Sequence, residues 1–105
     1  IAFWGHIHFA QATCPLAYGK CVTVKDAAGY DAPIHTVIGN AGQGLTPLSV
    51  PAANWTTYNA SEWGWSHVEV ANATQLRMDF YADVPIGEEP PVHFSFTLNR
   101  RFPRV

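Results

Sequence analysis

Ile1-Ala2-Phe3-Trp4-Gly5-His6-Ile7-His8 is the stretch on which the reading of the chain turns. Its first four residues are mostly apolar and read as a short buried strand, which Gly5 interrupts. Two histidines follow with one residue between them. Side chains on an extended backbone alternate faces, so residues two apart share one. His6 and His8 are therefore expected to aim two imidazoles into one small volume at the end of a strand, as a metal site needs. Gly5 is expected to let the backbone turn there and to leave room for a ligand. The plainer alternative is a chance His-x-His pair on a half-exposed strand.

The chain has 105 residues, enough for one small domain. A hydrophobic content of 48% against 13% charged residues excludes a disordered chain and implies a packed core. The net charge is -2, and the basic residues cluster only at Arg100, Arg101 and Arg104. That balance argues against nucleic acid or an anionic membrane surface as a partner. No apolar run reaches membrane-spanning length, and no secretory signal is evident. The opening on a strand-like segment without an initiator methionine reads as the interior of a longer polypeptide.

Two features point to an oxidising, extracellular setting. Cys14 and Cys21 are the only cysteines, and the loop between them contains Pro15 and Gly19. They are expected to form a local disulfide; two metal thiolates are the rival, with no further Cys or nearby His to complete a tetrahedral set. Three N-glycosylation sequons, at Asn54, Asn59 and Asn72, all in loop-like surroundings, favour a secreted glycoprotein.

Along the chain, Phe9 to Thr13 shows no clear period. Lys20 to Lys25 reads as a short strand, and 26–33 as a turn or loop. Ile34 to Ile38 is a β-branched run ended by the glycine-rich turn Gly39-Asn40-Ala41-Gly42-Gln43-Gly44, which lacks phosphate-loop spacing. Leu45 to Ser61 reads as a long irregular loop. Glu62 to Val70 alternates through Trp63, Trp65, Val68 and Val70 with one shift of face near His67, for which a bulge would account. After a turn at 71–73, Leu76, Met78 and Phe80 share one face and Arg77, Asp79 and Tyr81 the other. Val92 to Leu98 alternates again, with Val92, Phe94, Phe96 and Leu98 inward and His93, Ser95 and Thr97 outward. No helical period is visible, so this chain is expected to be mostly β, with an antiparallel sheet carrying one wet face.

The chain resembles the C-terminal part of a purple acid phosphatase, a branch of the calcineurin-like metallophosphoesterase superfamily. Gly5-His6-Ile7-His8 is similar to that family's last metal motif. Thr13-Cys14-Pro15-Leu16, with Cys21 following, resembles the cysteine-bearing segment after it. Ala32 to Gln43 looks like the Ala-Pro-Val-His strand and the Gly-x-Ala-Gly turn, and Glu62-Trp63-Gly64-Trp65-Ser66 like the segment opening the final hairpin. The likeness runs in order from Ile1 to about Tyr81.

The resemblance implies an αββα sandwich in the parent, an α+β architecture in which residues 1–105 form an incomplete, C-terminal portion of the catalytic domain. It implies a hydrolase, an acid phosphatase, acting on phosphate monoesters with Fe(III) plus a divalent ion (zinc, manganese or iron). His6 would bind the divalent metal and act in catalysis, and His8 would bind iron. Two metals about 4 Å apart would polarise the ester while a metal-bound hydroxide attacks phosphorus in line. The implied partners are the ester, N-glycans and the remainder of the parent chain, with homo-oligomerisation left open.

The chain departs from the family at Ala10, Gln11 and Ala12, where a tyrosine-glutamate-arginine run is usual. Groups next to metal ligands orient them, so the alternative reading is a non-catalytic structural or binding glycoprotein derived from the same fold. His35 is read as structural, His67 and His93 as exposed strand residues. Trp63 and Trp65 offer faces for stacking on a sugar or substrate but read as sheet packing.

Overall fold

The structure, a computed structural model, describes residues 1–22, 25–26, 29–30 and 32–99, with backbone alone at 25–26 and 29–30. All the regular elements among these residues are strands: β1 (Ala2–Trp4), β2 (Ala10–Ala17), β3 (Lys20–Cys21), β4 (Lys25–Asp26), β5 (Gly29–Tyr30), β6 (Ile34–Ile38), β7 (Thr56–Ala60), β8 (Gly64–Asn72), β9 (Gln75–Ala82) and β10 (Val92–Asn99). The mostly-β expectation is met.

Strands β1, β6, β2, β3 and β7 form one mixed sheet. β1 lies parallel to β6, with Ala2, Phe3 and Trp4 opposite His35, Thr36 and Val37. β2 runs antiparallel to β6, to β7 and to β3, so it is the strand on which the sheet is assembled. The tight β2–β3 turn has Tyr18 and Gly19 both at positive φ, 51° and 74°, the backbone twist that a two-residue hairpin loop prefers. Strands β10, β9 and β8 form a second, antiparallel sheet, and β4 and β5 a separate two-stranded ladder.

The two larger sheets share one apolar cluster. Ala10 and Ala12 of β2 are buried with Met78 and Phe80 of β9, and Tyr58, Phe94 and Phe96 pack against them. The Tyr58 ring is stacked on Phe94 at 5.0 Å and tilted against Phe80 at 5.1 Å. Burial and the nearby Glu62 raise the Tyr58 phenol above its ordinary pKa, so it stays neutral and apolar in character. The alternation read in β9, and in β10 from Phe94 to Leu98, is therefore the layer boundary itself; Val92, expected inward, is exposed beyond the register shift between Val92 and Phe94.

On the other face of β9, Asp79 is buried among polar neighbours. It accepts from Arg77 Nε at 2.9 Å and from Ser95 Oγ, and His67 Nδ1 stands 4.0 Å away.

Several expectations need correction. The opening strand, expected to be buried, has Phe3 and Trp4 exposed, and 26–33, expected as a turn or loop, carries β5 paired with β4. The segment with no visible period, Phe9 to Thr13, belongs largely to β2, because two alanines suffice where Met78 and Phe80 fill the space opposite. The supposed long loop contains β7. β8 has no bulge near His67: its register with β9 is regular from Gly64 to Val70 and shifts only between Val70 and Asn72. Trp65 instead lies opposite Tyr81, and the rings stack at 4.2 Å and 6°. Trp65 lies on the wet face while Val68 lies opposite Met78, so the apolar residues change face with no change in pairing.

The strand expected over Lys20 to Lys25 is present at Lys20–Cys21, and residues 23–24 lie outside the described residues. The basic residues Arg100, Arg101 and Arg104 lie outside them too. Cys14 and Cys21 are joined in a disulfide with Cα atoms 5.6 Å apart, as expected.

Candidate metal centre

β1 ends at Trp4, and residues 5–9 bend instead of continuing extended. Ile7 N donates to Gly5 O at 2.9 Å, and Phe9 N donates to Ile7 O at 3.0 Å. Each bond closes a three-residue turn, the first about His6 and the second about His8. His6 has a φ of 71°. That is the strained hand of such a turn, rare for a residue with a Cβ, although His tolerates it better than most. The expectation of two side chains sharing one face of a strand therefore fails in its premise. The unusual backbone falls on His6 and not on Gly5, which adopts no positive φ.

A second segment, 39–46, holds the turn in place. Phe9 O accepts from Gly39 N at 3.2 Å, and His8 O accepts from Thr46 N at 2.9 Å. His8 N donates to Thr46 Oγ1 at 3.2 Å. The imidazole is held as well, its Nδ1 lying 2.6 Å from Gly44 O. A carbonyl only accepts, so Nδ1 carries a proton, which in a neutral ring leaves the lone pair on Nε2. A metal-binding imidazole is commonly oriented in this way, through its other ring nitrogen to a backbone carbonyl.

A third segment braces the second. Ser61 Oγ donates to Thr46 O at 2.7 Å. The buried Asn40 side chain donates to Glu62 O at 3.0 Å, and the Asn40 backbone carbonyl accepts from Gly64 N at 3.2 Å. Trp63 Nε1 donates to Gln43 O at 2.9 Å. His93, an exposed residue of β10 as expected, has its Nδ1 2.6 Å from Glu62 Oε1.

His6 is exposed and His8 half-buried. Among the described residues, no three His, Cys, Asp or Glu side chains are grouped so as to hold a metal ion. The two imidazoles fit a metal in donor type, and His8 fits it in tautomer, but further ligands have to come from elsewhere. His35 is structural, as expected: its Nδ1 accepts from Trp4 Nε1 at 3.0 Å and the ring planes differ by 11°. Gln11 donates through Nε2 to Thr56 Oγ1 at 3.3 Å.

Sequence reasoning did not find Gly44, Thr46 or the Gln43–Trp63 bond. A backbone carbonyl acting 36 residues away leaves no mark in residue type. The one visible signal was the glycine-rich turn 39–44 with its polar residues, which reads as a sharp turn lining a cleft.

Residues 32–88 match the family model described as iron/zinc purple acid phosphatase-like protein C. The chain is 29% identical to probable inactive purple acid phosphatase 24 of Arabidopsis thaliana, over 97% of its own length and 16% of that relative's. It is 26% identical to a nucleotide pyrophosphatase/phosphodiesterase of Hordeum vulgare, over 97% of the chain and 27% of the relative. The structure of purple acid phosphatase PPD1 from yellow lupin (Lupinus luteus) seeds has the same fold over 93% of the chain and 17% of its own length, with a TM-score of 0.79 at 22% identity. The chain thus spans less than a third of each of these proteins. As more than half of it matches the family model, the chain belongs to the iron/zinc purple acid phosphatase-like protein C family.

Proposed function

We propose that residues 1–105 are the C-terminal portion of the catalytic domain of a secreted phosphomonoesterase. In the parent they pack within an αββα sandwich and supply its last two metal ligands, His6 to a divalent ion (zinc, manganese or iron) and His8 to Fe(III). The observation that carries this reading is the 2.6 Å contact between His8 Nδ1 and Gly44 O, which leaves Nε2 free to ligate. The strained φ of His6 supports it, because such backbone is usually retained at functional sites.

When bound, the two ions supply Lewis-acid charge at a phosphate ester. This chain's part is positional. Thr46 and Gly44 fix His8 in place and tautomer, and the turn between Gly5 and Ile7 fixes His6. The Cys14–Cys21 disulfide supports an oxidising compartment, and Asn54, Asn59 and Asn72 are the proposed glycan sites.

A second reading, a non-catalytic glycoprotein of the same fold, has an observation of its own. Ala10 and Ala12 belong to the core, and Gln11 is directed to Thr56, so none of the three supports a histidine ring. The similarity to a protein named probable inactive points the same way. Metal content and hydrolysis of p-nitrophenyl phosphate, measured together on the intact parent, decide between the two. A well-folded parent without metal or activity removes the first reading.

A further inference from the structure

We propose that Trp63 is the platform on which the aromatic ring of the ester's leaving group stacks, whether a nucleobase or an aryl group. This rests on the phosphomonoesterase reading.

The two tryptophans of the segment have different fates. Trp65 covers Tyr81 and belongs to the sheet. Trp63 precedes β8 and leaves 52% of its surface exposed. An exposed indole is ordinarily free to change rotamer, but this one is tied through its ring nitrogen and stands on a held backbone. Its Nε1 donates to Gln43 O, and the Trp63 backbone carbonyl accepts from Asp83 N at 2.8 Å. The residues on either side are held by Asn40. A large aromatic face held rigid in solvent offers contact area at low entropic cost.

Its location gives the face a use. Gln43 holds the indole and Gly44, the next residue, holds the His8 ring. Consecutive Cα atoms are about 3.8 Å apart, so the two ring nitrogens lie within roughly 11 Å of one another. A phosphate near His8 and an aromatic ring joined to it directly or through a sugar span a distance of that order. Stacking on an indole is tolerant of ring identity, since every base has a π face.

The test uses the intact parent and its W63A, W63F and W63L variants with phenyl phosphate, AMP and glycerol 2-phosphate. The KM for phenyl phosphate relative to glycerol 2-phosphate is expected to rise about tenfold in W63A and to return to within about threefold of wild type in W63F, which keeps an aromatic face and loses only the N–H. Should W63A fail to fold, W63L compared with W63F reads the same ratio. A ratio unmoved in every variant overturns the proposal, and is the result if the remainder of the parent covers Trp63. W63F as impaired as W63A also overturns it, leaving the indole as a loop anchor. Effects on AMP and phenyl phosphate together uphold a platform for either ring; an effect on one alone upholds it and identifies the source. If the wild-type parent cleaves none of the three esters, the phosphomonoesterase reading falls. Equilibrium binding of AMP then decides: about tenfold weaker binding by W63A upholds the platform, and equal or absent binding overturns it.

Discussion

The carbonyl oxygen of Ile7 occupies the space that a side chain on Gly39 would need. A Cβ built there overlaps that oxygen, with the backbone of Ile7 and His8 on its other sides. Ile7 lies between the two candidate ligands, so the turn that carries them is seated directly on the glycine-rich segment.

Gly39→Ala should therefore lower stability by about 1–3 kcal/mol, the usual range for an overpacked site that cannot relax. Gly44→Ala is the control. A Cβ there meets open space, and the change should stay within about 0.5 kcal/mol. Thermal melts of the intact parent read both. Equal loss in the two variants would mean that the close approach is not what makes Gly39 necessary.

Replacing His8 by Ala should remove bound iron from the intact parent, and His6→Ala the divalent ion, whereas His35→Ala should leave metal content unchanged. The distinction follows from the rings' partners. His8 has its Nδ1 on a carbonyl and Nε2 free, while His35 already accepts from Trp4 through Nδ1. Metal analysis of the purified variants is the measurement. Full iron retention in His8→Ala would sink the metal assignment.

How much of this could be read beforehand varied with the element. β9 and β10 were legible because each separates a wet face from the cluster around Phe80, so their periodicity survives in composition. β2 was not, because its buried positions are two alanines and a threonine, and Pro15 sits within it at a shift of register. β7 reads Thr-Thr-Tyr-Asn-Ala and owes its extended form to pairing with β2. At the candidate centre, residue type picked out His6 and His8. Their backbone was misjudged, since two consecutive tight turns and a strand end look alike in a string of letters.

Asp79 should give the fold a stability that depends on pH. Its hydrogen bond from Ser95, then that from Arg77 and the nearby positive charge, hold its carboxyl below the ordinary carboxylate pKa, against the opposing effect of burial. A depressed folded-state pKa means stability present above the unfolded value, about 3.9, and lost as pH falls through the folded one. Asp79→Asn should cost about 1–3 kcal/mol at pH 7 through the loss of hydrogen bonds to a charged group. The gap from wild type should close below about pH 4. Melting temperatures of both proteins between pH 7 and pH 2 test this, and a gap constant across that range would rule out the carboxylate as its source.

The disulfide spans a sequence separation of 7 residues. For so short a loop, the chain-entropy account predicts a loss of about 2.5 kcal/mol when both cysteines become serine. Denaturant midpoints of the C14S/C21S parent measure it. A loss near zero would show that the β2–β3 hairpin, already closed by the Tyr18-Gly19 turn, constrains the same residues without the bond.

The three sequons should not be occupied equally. Asn54 is exposed and precedes β7, and Asn72 is exposed at the end of β8, its Oδ1 accepting from Thr74 N and Thr74 Oγ1 at 2.9 Å each. Asn59 is half-buried within β7, opposite Gln11 of β2. A glycan there has to leave a paired strand beside the core, where chain and sugar compete for space. Glycopeptide mapping of the intact parent should find Asn54 and Asn72 modified and Asn59 the least so. Full occupancy at Asn59 would require that the sugar is attached before β7 pairs with β2, making strand closure the later event.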